Sequence, residues 1–338
     1  EDDVRLLLTS TALIGLMAAP AAAQTFTNQS IEVRHAAAVL TVTPEDRADI
    51  VVTSTAGGRL AAPTARVEGR RIVIDGGLRN RIRSCSDDQI NVRDVGNVRR
   101  EDLPRITIRT PRTLDIGVGG AVFAYIGASA GGEVALNGCG SITMAETSGD
   151  LELALNGSGD IDAARIGGDL EASLNGSGSL TTRDVTGGAE ASLNGSGDLT
   201  LGNVGGPLEA ALHGSGSLSA GNTGGATELS LLGSGDFEAG AVRGSLEASL
   251  RGSGSMEVAS VEGQSAELAL SSSGDISVRG GRVNQLEVVN ASSGNVHFGG
   301  AASHTSVQLS GSGDVEIANA GQVDRMIDNG SGDVSLGR

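Results

Sequence analysis

Residues 171–200 read "EASLNGSGSLTTRDVTGGAEASLNGSGDLT", and the second "EASLNGSG" begins 19 residues after the first, at Glu190. Aligned on the second glycine of that corner, the chain repeats at Gly140, Gly159, Gly178, Gly197, Gly216, Gly235, Gly254, Gly274, Gly294, Gly313 and Gly332, in steps of 19 residues with two steps of 20. A fixed period of this size marks stacked units, each too small to bury an apolar face alone. Within one unit Leu170, Ala172 and Leu174 alternate with Glu171 and Ser173, the period of a strand with one buried face. After "NGSG" the alternation resumes at Leu180 and Thr182, Val185 adds an apolar point, and "TGG" turns the chain again. Two short strands and two or three corners therefore make one rung, and rungs stack by parallel pairing at about 4.8 Å per step.

The fold class that follows is all-β, a single-chain parallel β-solenoid of 19-residue coils. Equivalent positions should fall in columns, with Ile142, Ile161, Leu180, Leu199, Leu218, Phe237, Met256, Ile276, Val296, Val315 and Val334 forming one inside the core. A helical repeat fails, because 19 residues broken by "GSG" and "GG" leave no room for a helix of ordinary length. A calcium-binding β-roll requires nonapeptides with a regular Asp, which the second glycine corner lacks.

Composition agrees with a thin solenoid. Of 338 residues 53 are Gly, and the aromatics are Phe26, Phe123, Phe237, Phe298 and Tyr125, so Leu, Ile, Val and Ala must fill narrow layers. Residues 24–130 carry 15 Arg against 12 acids, whereas residues 131–338 carry 8 Arg against 26. A polyanionic body repels phosphate backbones, which excludes nucleic acid as a partner, and attracts cations or basic partners. Residues 24–130 lack the repeat but show strand alternation in "SIEVRH", "VLTVTPED", "RRIVIDGG", "RITIRTPR" and "LDIGVGG". They read as irregular coils capping the regular repeats of 131–338, a separate β-domain being the other arrangement.

Residues 1–23 hold a short apolar stretch followed by Ala21-Ala22-Ala23, the form of a signal peptide with its cleavage site, although acidic Glu1, Asp2 and Asp3 depart from a basic start. Export to the periplasm, the cell surface or the medium is the expectation, with no transmembrane span because the stretch is too short. Cys85 and Cys139 then lie in an oxidising compartment that allows a disulfide, two buried thiols being the alternative.

Together "LPRITIRTPRTLDIGVGGAVFAYIG", "LALNGSGDID", "ASLNGSGDLT" and "LLGSGDFEAG" resemble the putative auto-transporter adhesin, head GIN domain family, over most of the chain after residue 23. The resemblance implies a right-handed parallel β-helix in an exported bacterial envelope protein with an adhesin-like or scaffold role. It brings no catalytic residues. The chain as given stops at "SGDVSLGR" without amphipathic barrel strands, so a membrane pore of its own is not expected.

The candidate binding residues are outward on the first strand of each coil: Glu133, Glu152, Glu171, Glu190, Glu209, Glu228, Glu247, Glu267 and Glu287. Stacked carboxylates about 4.8 Å apart repel by about 0.9 kcal/mol per pair in a water-like dielectric, which bound cations, Ca2+ among them, or a basic partner would relieve. Duplication of coils is the competing origin, since each copy carries its Glu along. After the corner glycine, Ser141, Asp160, Ser179, Asp198, Ser217, Asp236, Ser255, Asp275, Asn295, Asp314 and Asp333 read as hydrogen-bonders of the corner rather than metal ligands. Asn137, Asn156, Asn175 and Asn194 should form an amide ladder. Catalysis is not expected: His35, His213, His297 and His304 are scattered, no HExxH or Walker sequence occurs, and coils this short leave no loops for the cleft of a carbohydrate-active β-helix enzyme. The partner expected is an envelope or surface polysaccharide or protein, with weak end-to-end self-association through the last rung.

Overall fold

The computed structural model describes residues 23–27 and 30–338. Apart from Ala23, the signal segment read over residues 1–23 lies outside the described residues. No α-helix occurs among them, only one short 3-10 turn at Arg100–Asp102.

One coil shows how the repeat folds. Strand Leu170–Gly176 buries Leu170, Ala172 and Leu174, and strand Ser179–Thr182 buries Leu180 and Thr182. Val185 then makes a single parallel bridge to Ile166 on one side and Val204 on the other, which gives the rung a third internal column one residue wide. Every pairing is parallel and in register: Leu170 faces Leu151 and Ala189, and Leu180 faces Ile161 and Leu199. The column from Ile142 to Val315 is buried throughout, and one apolar core runs from Ile31 to Ala320. Burying one Leu contributes about 1.5–3 kcal/mol, so the several aliphatics of each coil outweigh a carboxylate repulsion of about 0.9 kcal/mol.

The two glycines of "NGSG" serve different needs. Gly176 sits at φ 145, a region closed to side chains, and a Cβ there would also strike the carbonyl oxygen of Gly157 in the coil below. Gly178 lacks positive φ, but its Cβ would enter the space of the Gly159 carbonyl and Leu155. At both positions of this coil the backbone therefore approaches its neighbour too closely for any other residue.

The first coils are irregular and stacked on the regular ones. Strand Thr113–Ile126 pairs in parallel with Gly131–Met144 and with Ser30–Glu45, which pairs in turn with Arg71–Asp75 and Arg105–Pro111. Within the coils, among the described residues, antiparallel strand pairs occur only here: Gln24–Phe26 on Ile50–Thr55, Ile50–Thr55 on Arg105–Pro111 and Thr64–Glu68 on Arg71–Asp75. Between Val118 and Gly120 the register slips, so that Arg34 and His35 form a bulge and His35 takes φ 49.

A separate three-stranded antiparallel sheet, Ile82–Cys85, Gln89–Val92 and Gly96–Arg99, packs on the flank of these coils. Its Ile90, Val92 and Val98 form a second core with Val39, Ala121 and Phe123, which point outward from the solenoid. Phe123 stands in the column that continues as Ser141 and Asp160, so the side sheet supplies the cover that a solvated corner does not need. Cys85 and Cys139 join this sheet to the first regular coil, with Cα atoms 6.0 Å apart.

An acidic file along one groove

The strand that opens each coil turns alternate side chains outward, and parallel register puts equivalent ones in line. Glu133, Glu152, Glu171, Glu190, Glu209, Glu228, Glu247, Glu267 and Glu287 face one another in succession, and Ser306 and Arg325 follow. The file also extends backwards: Asp115 faces Glu133 and accepts a hydrogen bond of 3.0 Å from the Ser30 hydroxyl, and Arg71 is registered against Ser30. An acidic run is thus closed at both ends by arginine. Asp115 escaped the repeat because it stands 18 rather than 19 residues before Glu133; the alternation of "LDIGVGG" was the available signal.

The file lines one side of a groove of about 1680 Å³ that runs along the solenoid. The positions two residues before those of the file also line it, corner residues at Asp150, Asp169 and Pro207 and strand residues at Gln285 and His304. Burial raises the Glu152 carboxyl above its ordinary value, and the charges of Glu133 and Glu171 push it further the same way. Glu267 is raised for the same causes, burial first and then Glu247 and Glu287. Among the described residues none of the nine glutamates takes part in a salt bridge.

Other polar columns are occupied with holding coils together. Asp160, Asp236, Asp275 and Asp314 each accept the backbone N–H of the equivalent residue one coil on, at 3.2, 3.2, 2.7 and 2.9 Å. Asp150 and Asp169 do the same at the other corner, at 2.9 and 2.7 Å, and Asp184 accepts from Asn203 at 3.0 Å, contacts the sequence did not announce. Asn156 donates to Asn137 and Asn175 donates to Asn156, at 3.0 and 3.1 Å. His213, Leu232 and Arg251 then replace Asn in that column. Three histidines stand beside single carboxylates at separate places, His35 by Asp75, His297 by Glu316 and His304 by Asp324. Among the described residues no group of three or more His, Cys, Asp or Glu is arranged to hold a metal ion, and no helix is long and apolar enough to cross a membrane.

The arginine-rich first coils hold much of their charge in local pairs. Hydrogen bonding to Arg109 holds Glu45 below its usual range, Arg112 does so for Asp46, and Arg66 with Arg34 does so for Glu68. Burial opposes the shift at Asp75, but the Gly77 N–H, Arg66 and Arg34 overcome it.

The model of the family described as "Putative auto-transporter adhesin, head GIN domain" matches residues 68–260 and again 246–337. Among solved structures the chain is similar to a putative adhesin from Bacteroides fragilis, 13% identical over 73% of this chain and 95% of that one, with a TM-score of 0.35. It is also similar to a putative lipid binding protein from Parabacteroides distasonis, 17% identical over 95% of this chain and 98% of that one, with a TM-score of 0.26. No curated protein matches it.

Proposed function

The chain belongs to the putative auto-transporter adhesin, head GIN domain family, and from that membership we propose an exported, non-enzymatic surface protein whose adhesin-like contact is the acidic groove. Its occupant is a basic partner, a protein segment or polymer with cationic groups in line. The observation that carries this reading is the file itself: carboxylates from Asp115 to Glu287 in continuous register, without internal counter-charges among the described residues. Such a file costs stability in the free protein and returns it when a cation chain lies along it. Coil duplication alone explains it less well. The outward column four residues further along the strand drifts from Asn194 to His213, Leu232 and Arg251, while Glu190, Glu209, Glu228 and Glu247 persist over the same coils. Divalent cations such as Ca2+ are the natural competitors for the same charges.

The test is titration of a Lys-rich peptide against the protein and against Glu171→Gln/Glu190→Gln/Glu209→Gln. Binding should weaken steeply with salt, fall about tenfold or more in the variant, and be displaced by calcium chloride. Absence of binding at low salt, or equal binding by the variant, would reject the groove as the contact.

A further inference from the structure

Strand Thr113–Ile126 departs from the coils after it in its outward side chains. Where they place Ala135, Ala154 and Ser173 in one outward column, this strand has Gly117. Packing does not require a glycine there. Its φ is outside the left-handed region, and a Cβ would meet only the Ile31 carbonyl oxygen at 3.9 Å, an ordinary contact. A glycine that a strand does not need weakens the strand and leaves bare backbone for something to lie against. Gly117, with Gly119 and Gly120, lies in the lining of a second groove of about 1180 Å³, which meets the acidic groove at Asp115 and Glu133.

Backbone strain collects at the same place. Of the three non-glycine residues with positive φ among those described, His35 at φ 49 and Asn80 at φ 59 line this groove, and Asp94 at φ 66 stands outside it. The bulge brings His35 into the lining, its imidazole standing by Asp75 at 3.5 Å, and bulges are common beside binding sites.

The lining also differs in chemistry from the acidic file. Arg34, Arg70 and Arg71 stand against Glu32, Asp115 and Glu133, so the charges balance, and no Phe, Tyr or Trp contributes. Arg70 has no salt-bridge partner among the described residues, whereas Arg34 and Arg71 are held by Glu68 and Glu32 at 2.8 and 3.5 Å. Guanidinium and amide groups donate here while carboxylates accept, side by side. A hydroxyl group does both at once, and a chain of hydroxyls satisfies such a surface without bringing net charge. An apolar ligand would strip these groups of water with nothing in return, and a polyanion would meet the three carboxylates. The volume exceeds the roughly 300–1,000 Å³ of small-molecule clefts, room for several sugar rings.

We propose that this groove is a binding site for a neutral saccharide chain, lying on the bare backbone at Gly117 and held between the Arg70 side and the carboxylates of Glu32 and Asp115. The proposal stands apart from the acidic groove, because it concerns other residues and a ligand indifferent to salt. The intact disulfide-bonded protein is applied to an array of neutral hexose and N-acetylhexosamine oligosaccharides beside sulfated and uronate-bearing ones. The tightest neutral oligosaccharide is then titrated by calorimetry against wild type, Gly117→Val, Arg70→Gln and, as a distant control outside both grooves, Glu238→Gln, an exposed residue of strand Asp236–Val242. Expected are retention of a neutral glycan with little dependence on salt, a loss of about tenfold in Gly117→Val and in Arg70→Gln, and no change in the control. Should Gly117→Val fold poorly by circular dichroism, Arg70→Gln decides alone. Retention of charged glycans only, of none, or undiminished binding by the folded variants overturns the proposal, whatever the Lys-rich peptide does.

Discussion

Replacing Glu152 and Glu267 by Gln in one chain should stabilise it, and the amount follows from the register. Each residue has two acidic neighbours, Glu133 and Glu171 for the first, Glu247 and Glu287 for the second. At about 4.8 Å in a water-like dielectric each contact repels by about 0.9 kcal/mol, which screening at physiological salt reduces to about 0.5 kcal/mol. The double variant removes four such contacts, so it should gain about 2 kcal/mol at physiological salt, about 3 at 0.01 M and under about 1 at 1 M. Relief of burial, the first cause raising both carboxyls, adds in the same direction. The two sites are far enough apart along the solenoid for their effects to add. Gln keeps the shape and its amide can donate to a neighbouring carboxylate, as each Asn of the ladder donates to the one before it. Calorimetric melting at neutral pH should rise by roughly 2–4 °C at physiological salt. An unchanged or lower midpoint, or a gain that does not shrink as salt is added, would refute the repulsive file.

Acid should act oppositely on the two ends of the molecule. Glu152 and Glu267 have raised folded-state values, so folding takes up protons there and the solenoid gains stability as pH falls through those values. Glu45, Asp46, Glu68 and Asp75 are lowered, so the stability they lend above the ordinary carboxylate range is lost as pH falls through their depressed values. Hydrogen exchange at stepwise lower pH should show the first coils opening before the repeats; the reverse order would contradict the assignment. Reducing the disulfide, whose cysteines are 54 residues apart, should cost about 4 kcal/mol by loop entropy, felt in the side sheet. Ile90 and Val92 should then lose exchange protection while Leu193 keeps it, and unaltered protection at Ile90 would show that the sheet does not need the link. Gly176→Ala should cost at least about 2 kcal/mol from forbidden backbone and collision together, whereas Gly117→Ala should stay within about 0.5 kcal/mol. Equal urea midpoints for the two would undo the distinction between them.

The body of the molecule was legible because every coil meets the same local demands. The glycine at the Gly178 position recurs at every corner and that at the Gly176 position at all but two, where Ser272 and Ser292 stand, and once the corners are aligned the register of Glu133 to Glu287 follows without further information. Val185 read as one apolar point, and it is one, a single-residue bridge. Cys139 was also placed by the template, since it stands where later corners have Ser158 and Ser177. What the period could not carry depends on pairing between distant segments. The side sheet is built from short strands such as "QINV" and "GNVR", and its core is completed by Phe123 and Ala121, residues that alternation alone assigns to solvent. Asp115 was lost through a one-residue change in coil length, and His35 through a bulge visible only once Val33 and Val118 are paired. These losses share a location. A repeat fixes each position by its neighbours above and below, so a column free to change its chemistry is found where one neighbour belongs to a different kind of coil. Asp115 and Glu133 stand at that boundary, with duplicated glutamates on one side and Arg34, Arg70 and Arg71 on the other, and both grooves reach them. The part of the surface least predictable from the period is therefore the part where two unlike binding chemistries can meet.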